Sequence, residues 1–283
     1  MMNNKKEWDT ASLGVTYQMS LDAFLKDSYH ASYSKSQAYE DALMKLKEMR
    51  QYRGWQKKKY IAHQALLICR ECIEAYLAMG LYCDDMFETL KVYKEGMELA
   101  TMSLGREYFQ QPVSDFYELD DARVFFHMKF AYACALYEVG YMRRSQAQFQ
   151  EILSLNPSDV FGVRYYLYAG FLYFEEYEKF KQLYERYPKQ DTFTLYANFL
   201  YYYKKQLLSE AKVLLRPLLE YNRYLYEVMS YERMNTATIQ KRLAPGSNEE
   251  AAYCYAILQK VTNALEYLPT FMVKEKNKEE ASV

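Results

Sequence analysis

Glycine and proline are scarce in this sequence, 9 and 6 residues out of 283, where average usage would be about 7% and 5%. So small a supply of turn formers excludes a many-stranded sandwich, barrel or propeller. An excess of charge of either sign is also missing: Lys and Arg number 36, Asp and Glu 37, for a formal net charge of −1. A dedicated nucleic-acid binder usually carries a clear positive surplus to neutralise phosphates, so that class is disfavoured. No apolar run is long. Tyr165 to Phe174 and Thr192 to Tyr203 are the longest apolar–aromatic stretches, and both fall short of the ~20 residues of a spanning helix; no membrane partner is expected. Cysteines are few and odd in number (Cys69, Cys72, Cys83, Cys134, Cys254), most in helix-like apolar contexts, and no basic-then-apolar leader follows Met1. A reducing cytoplasm is the expected compartment.

Catalytic signatures are absent too. Only His30, His63 and His127 are available as imidazoles. There is no Gly-x-Ser-x-Gly elbow, no glycine-rich phosphate loop and no His-Glu-x-x-His. The pairs Asp84-Asp85, Asp120-Asp121, Glu175-Glu176 and Glu249-Glu250 lie beside expected helix starts or turns. There acids complement the positive end of the helix dipole without catalysis. His63, Cys69, Cys72 and Cys83 could be read as zinc ligands through the Cys69-x-x-Cys72 spacing. A lone pair of this kind is weak, and core cysteines are the preferred reading. No enzyme, metal or cofactor is expected.

What the chain does have is 32 Tyr, 15 Phe and 51% hydrophobic residues against 26% charged, enough to build a core. Helical periodicity starts at Ser36, with Ala42, Leu43, Leu46 and Met49 on one side and Gly54 at the stop. Further helices are predicted over Lys57 to Cys69, Cys72 to Leu81 and Asp85 to Leu104, the last capped by Asp84 or Asp85. Residues 1–34 read as a loosely ordered segment with one short helix, Leu21 to Lys26. Residues 35–270 read as one helical-repeat domain, and 271–283 as a charged flexible tail. Gly105 to Asp121, with Pro112, Phe109, Phe116 and Tyr117, interrupts the rhythm as a compact non-repeat insertion packed on a neighbouring helix. Lys45, Lys47, Arg50, Arg53, Lys57, Lys58 and Lys59, opposed only by Glu48 and interleaved with Tyr52, Trp55 and Tyr60, form a basic stretch. Such a stretch is compatible with stacking on single-stranded nucleic acid; a solvated helix face is the preferred reading.

The strongest pattern is a repeat. Lys129 to Asp159, Val163 to Pro188 and Thr194 to Asn222 align as three helix pairs, with Phe149, Tyr184 and Leu215 equivalent at steps of 35 and 31. A helix pair of this size cannot bury its own apolar face, so copies stack. The pattern resembles the tetratricopeptide repeat: Ala133, Gly140, Ser145 and Phe149 fit the first unit, while Glu175, Phe180, Gln206 and Pro217 depart from the usual residues. Over Gly54 to Leu268 the chain looks like the bacterial helical-repeat proteins related to the suppressor of tumorigenicity 7 family. ECIEAYLAMG, GREYFQQPVSDFY, LNPSDVFGVRY, QLYERYP and APGSNEEAAYCYAIL carry the resemblance, and Asn156, Pro157, Asp159, Gly162, Arg164 and Tyr165 are its most specific set.

The resemblance implies an all-α fold, a TPR-like helical-repeat solenoid with the insertion near residues 105–121, and no catalytic residues. Its geometry puts the first helix of each pair along a concave groove. His127, Phe130 and Tyr137 would line it from the first unit, Tyr165, Tyr166 and Tyr173 from the second, and Tyr196, Tyr203 and Lys204 from the third. Tyrosine, apolar in body and polar at its tip, suits a groove that holds a peptide. The expected function is a non-enzymatic scaffold binding a peptide or protein partner there. The alternatives are a regulatory sensor of a small molecule or peptide, and an enzyme site near Arg123 and His127 in the insertion. A homodimer is compatible with the first two.

Overall fold

The computed structural model describes residues 36–230 and 244–280. The expected N-terminal segment 1–34 lies outside the described residues. Among them the fold is all-α, with thirteen helices and no strand. The chain divides into two compact units, one ending at Val163 and the other beginning at Arg164, where the repeat pattern suggests one domain over 35–270.

The first unit holds α1 (Gln37–Lys47), α2 (Trp55–Ile68), α3 (Ile73–Leu81), α4 (Met86–Leu104), α5 (Asp120–Glu138) and α6 (Met142–Leu155). Side chains set the helix starts. Ser36 Oγ accepts from the Tyr39 amide at 3.2 Å, and Asp85 Oδ1 accepts from Phe87 and Glu88 at 2.8 and 2.9 Å, which satisfies amides that have no intrahelical partner. Close packing follows from small residues at crossings. A methyl on Gly80 would lie 2.0 Å from the Tyr93 ring, so α3 and α4 meet only because Gly80 has no side chain. Ser145 Oγ donates to the Ala133 carbonyl at 2.8 Å and draws α6 onto α5.

The insertion between α4 and α5 is two 3-10 turns, Arg106–Gln110 and Phe116–Glu118. Its rings pack on α5, with Phe109 4.9 Å from Phe125 and Tyr117 5.8 Å from Phe126, centroid to centroid.

The second unit holds α7 (Val163–Tyr173, its first residue at the division), α8 (Tyr177–Arg186), α9 (Thr192–Lys204), α10 (Leu208–Tyr221), α11 (Tyr224–Ser230), α12 (Asn248–Thr262) and α13 (Leu268–Glu280). α7 and α8 are joined by the same turn as α9 and α10, and the same turn joins α5 to α6 in the first unit. Gly140, Glu175 and Gln206 all take positive φ, at 86°, 60° and 60°. In each turn the next amide reaches back five residues: Tyr141 to the Leu136 carbonyl at 2.8 Å, Glu176 to Phe171 at 2.8 Å and Leu207 to Tyr202 at 3.0 Å. This is one helix-terminating closure used three times. The uneven steps have a simple cause. α8 has 10 residues, whereas α6 and α10 have 14 each, so the middle pair lacks about one helical turn.

α12 and α13 close over α9. Phe193 meets Tyr253 at 5.6 Å, the Tyr196 hydroxyl bonds Thr262 Oγ1 at 2.8 Å, and Tyr203 meets Phe271 at 5.2 Å. α13 continues through 271–280 as helix where the Lys/Glu alternation suggests a loose tail. Phe271 and a buried Met272 anchor it, and Lys212 Nζ lies 2.6 Å from Glu275.

Candidate functional site

Five of the nine expected groove residues are interior. His127, Phe130, Tyr137, Tyr166 and Tyr196 are buried, Tyr196 completely, so no partner reaches them while the helices stay packed. The reason differs by unit. In the first, the insertion and the loop after α6 wrap α5: His127 lies edge-to-face with Phe161 at 5.0 Å, and Phe130 lies 5.1 Å from the same ring. In the second, α12 and α13 cover the α9 face that carries Tyr196. Each enclosed ring contributes roughly 1.5–3 kcal/mol of burial to the fold, so these residues serve as core.

The enclosure also decides the chemistry near Arg123. Burial, reinforced by the Arg123 charge, pushes the His127 imidazole down to about 3; it is neutral at physiological pH. Its neighbours Tyr117 and Phe161 are aromatic, and Arg123 pairs with Asp120 at 3.0 Å. The rings nearest the imidazole are aromatic, where the insertion reading of an enzyme expects a polar pocket.

The insertion is instead tied to the loop after α6. Asn156 Nδ2 donates to both Asp115 carboxylate oxygens at 2.9 Å, and the Ser158 amide donates to Asp115 Oδ2 at 3.1 Å. Asn156 Oδ1 accepts from the Val160 amide at 3.1 Å, and Asp159 Oδ1 from Val163 at 2.7 Å. Asn222 holds the matching place after α10: it donates to Thr192 Oγ1 at 3.1 Å and accepts from the Tyr224 amide at 3.1 Å. Burial raises the Asp115 carboxyl, but donors from Ser158, Asn156 and Tyr117 outweigh it and hold the group below its ordinary value.

Among the described residues no three His, Cys, Asp or Glu side chains converge as metal ligands. Cys72 Sγ lies 3.7 Å from Glu74 Oε2, and Cys83 Sγ donates to the Met79 carbonyl. All five cysteines are buried, and none is in a disulfide. At the start of the second unit, Arg164 lies over the Tyr165 ring at 4.3 Å. The Tyr165 hydroxyl bonds Asp191, which in turn caps α9 through the Thr194 amide at 2.9 Å. Tyr165 also stacks on Phe193 at 4.3 Å. These groups hold α9 in place and are half-buried or buried.

The chain matches no protein-family model, no curated protein sequence and no solved structure.

Of the four groove residues that keep solvent contact, Tyr165 lies at the start of α7 against Phe193, while Tyr173, Tyr203 and Lys204 lie at the ends of α7 and α9. Tyr173 is exposed, and Tyr203 and Lys204 are half-buried. Beside them the structure brings forward residues that the repeat pattern does not single out. Tyr177 and Tyr201 meet edge-to-face at 5.7 Å, Tyr201 and Tyr202 at 5.1 Å. Lys205 Nζ stands 5.7 and 5.2 Å above the Tyr177 and Tyr201 rings and donates to the Tyr201 hydroxyl at 3.3 Å. Beneath them the buried Phe180 ring stacks on Tyr201 at 5.1 Å, which fixes the edge to the core. Phe180 stands where the repeat pattern expects a small residue. Lys204 reaches Glu175 at 3.4 Å. Burial raises the Tyr177 and Tyr203 phenols above their ordinary value, so both remain protonated at neutral pH. The edge presents ring faces, O–H groups and the Lys205 ammonium at the helix ends.

Proposed function

We propose that the protein is a non-enzymatic interaction scaffold, a TPR-like helical array that holds a peptide or protein partner on the tyrosine–lysine edge of its second unit. The carrying observation is the arrangement of Tyr177, Tyr201 and Tyr202 around Lys205, half-buried rings braced from below by Phe180. Half-exposed tyrosines cost little entropy to dock against and pair an apolar face with a hydrogen-bonding tip, which makes them frequent anchors at interfaces. The exposed Lys205 favours a segment with a carboxylate beside an aromatic or aliphatic residue. The thrice-used turn supports the array reading, and five buried cysteines outside any disulfide support a reducing compartment.

A displayed peptide library selected on the full chain tests this. Selected peptides should carry acidic and apolar residues together, and the triple variant Tyr177→Ala, Tyr202→Ala, Lys205→Ala should bind them at least tenfold more weakly, as loss of interface anchors does. Peptides that bind the triple variant as well as the original chain would refute the assignment of this edge.

A further inference from the structure

The segment linking α1 to α2 carries a second surface, independent of the tyrosine edge. Between residues 45 and 60 stand seven cations and one anion, so a nearly neutral chain concentrates its positive charge here. Lys45 pairs with Glu48 at 2.8 Å, and Lys59 with Asp84 at 2.7 Å. Arg53 and Lys57 are exposed and Lys58 is half-buried.

Three rings alternate with these charges. Tyr52 is 38% exposed, Trp55 47% and Tyr60 53%. Lys57 Nζ lies between the two tyrosines, 5.4 Å from one centroid and 4.9 Å from the other. Lys58 reaches over Tyr82 at 5.8 Å. From Arg50 to Tyr60 the exposed apolar groups are all aromatic; the exposed aliphatic side chains of α2, Leu67 and Ile68, stand at its far end. A helix that lies on a membrane keeps its apolar face apart from its cations, whereas here Lys57 sits between two of the exposed rings. Flat rings spaced by cations suit a ligand that is itself a row of flat rings spaced by anions.

We propose that this ledge binds single-stranded nucleic acid, with bases stacked on Trp55, Tyr52 and Tyr60 and phosphates on Arg53, Lys57 and Lys58. Stacking tolerates any base, so the site reads strandedness, not sequence. The near-neutral whole keeps the electrostatic contribution local and small, as three phosphate contacts would be.

Fluorescence anisotropy with twelve-nucleotide oligouridine RNA, oligothymidine DNA and a DNA duplex of the same length tests the proposal. Single strands should bind and the duplex should bind at least tenfold more weakly; the RNA and DNA arms tell which strand is preferred. Across about 50 to 200 mM salt, the slope of log K against log salt should be about −2 for three phosphates. Trp55→Ala with Tyr60→Ala should weaken binding about a hundredfold at an unchanged slope, since each stacked base is worth roughly a factor of ten. Trp55→Phe should retain most of the affinity. Arg53→Ala with Lys57→Ala should bring the slope to about −0.7. All these side chains are exposed, and an unchanged circular dichroism spectrum and melting point will show that the variants fold. No binding of either strand would overturn the proposal, as would equal binding of duplex or affinity indifferent to the loss of Trp55 and Tyr60. Displacement of the strand by polyglutamate, or capture on phosphatidylserine vesicles that needs the same residues, would reassign the ledge to an acidic protein or a lipid surface.

Discussion

Asn156 spans both carboxylate oxygens of Asp115 with one side-chain amide, at 2.9 Å each, and so fastens the insertion to the loop that ends the first full helix pair. The two residues are 41 positions apart and both buried. Asp115→Ala or Asn156→Ala should each destabilise the first unit by about 1–3 kcal/mol, because the surviving partner is left buried and unpaired. The double variant should lose about 1–2 kcal/mol less than the sum of the singles. Because the folded Asp115 carboxyl lies below its unfolded value of 3.8, its contribution is present above that pH. It is lost as pH falls through the folded value. Urea titrations of the four proteins between neutral pH and about pH 3 provide the check.

His127 sets a different pH window. Its folded value near 3 lies below the ordinary 6.5, so the unfolded chain takes up a proton that the folded chain refuses. Stability should therefore fall as pH drops from about 6.5 towards 3, by up to about 1.4 kcal/mol per pH unit. His127→Phe, which suits the neighbouring aromatic rings, should remove this slope. A melting point that falls equally with pH in both proteins would show that other groups carry it.

The thiols should be inert in the folded chain. Burial and the nearby Glu88 push Cys83 up to about 12, and burial pushes Cys72 and Cys254 well above the ordinary value. The nucleophile is the thiolate. A colorimetric disulfide reagent at pH 8 should find no fast-reacting cysteine in the native protein and all five after denaturation.

Gln206 occupies a left-handed backbone position, φ 60°, that glycine fills in the first repeat turn. Gln206→Gly should stabilise the second unit by about 0.5–1 kcal/mol, the left-handed cost relieved less the entropy of a freer unfolded chain. Gln206→Ala, which keeps the strain, should be near neutral. Thermal melts of both variants suffice.

Local features were readable from sequence and long-range coverage was not. Ser36 and Asp85 announce their helices because a cap acts within three residues. Gly140 announces its turn by residue type, whereas the turns at Glu175 and Gln206 are legible only from the helical patterns on either side of them. Which tyrosines are exposed depends on what lies over them. Tyr196 is covered by α12 and α13, which follow the last recognisable repeat and offer no matching pattern. α13 itself is hidden behind its Lys/Glu alternation, although Phe271 and Met272 anchor it. The Asp115–Asn156 bond joins the two stretches with the most distinctive composition, but nothing in either one names the other. Tyr177, Tyr202 and Lys205 escape notice because the repeat template assigns the groove to other positions of the helix.

The most direct test is site-specific photo-crosslinking in cells, with a benzophenone amino acid placed singly at Tyr202, at Tyr177 and, as a control on the same unit, at the exposed Val213 of α10. A discrete adduct of one defined partner is expected from Tyr202 and Tyr177, lost when Lys205→Ala is added, and absent from Val213. Equal labelling from all three positions, or an adduct at Val213 alone, would contradict a partner site on the tyrosine–lysine edge.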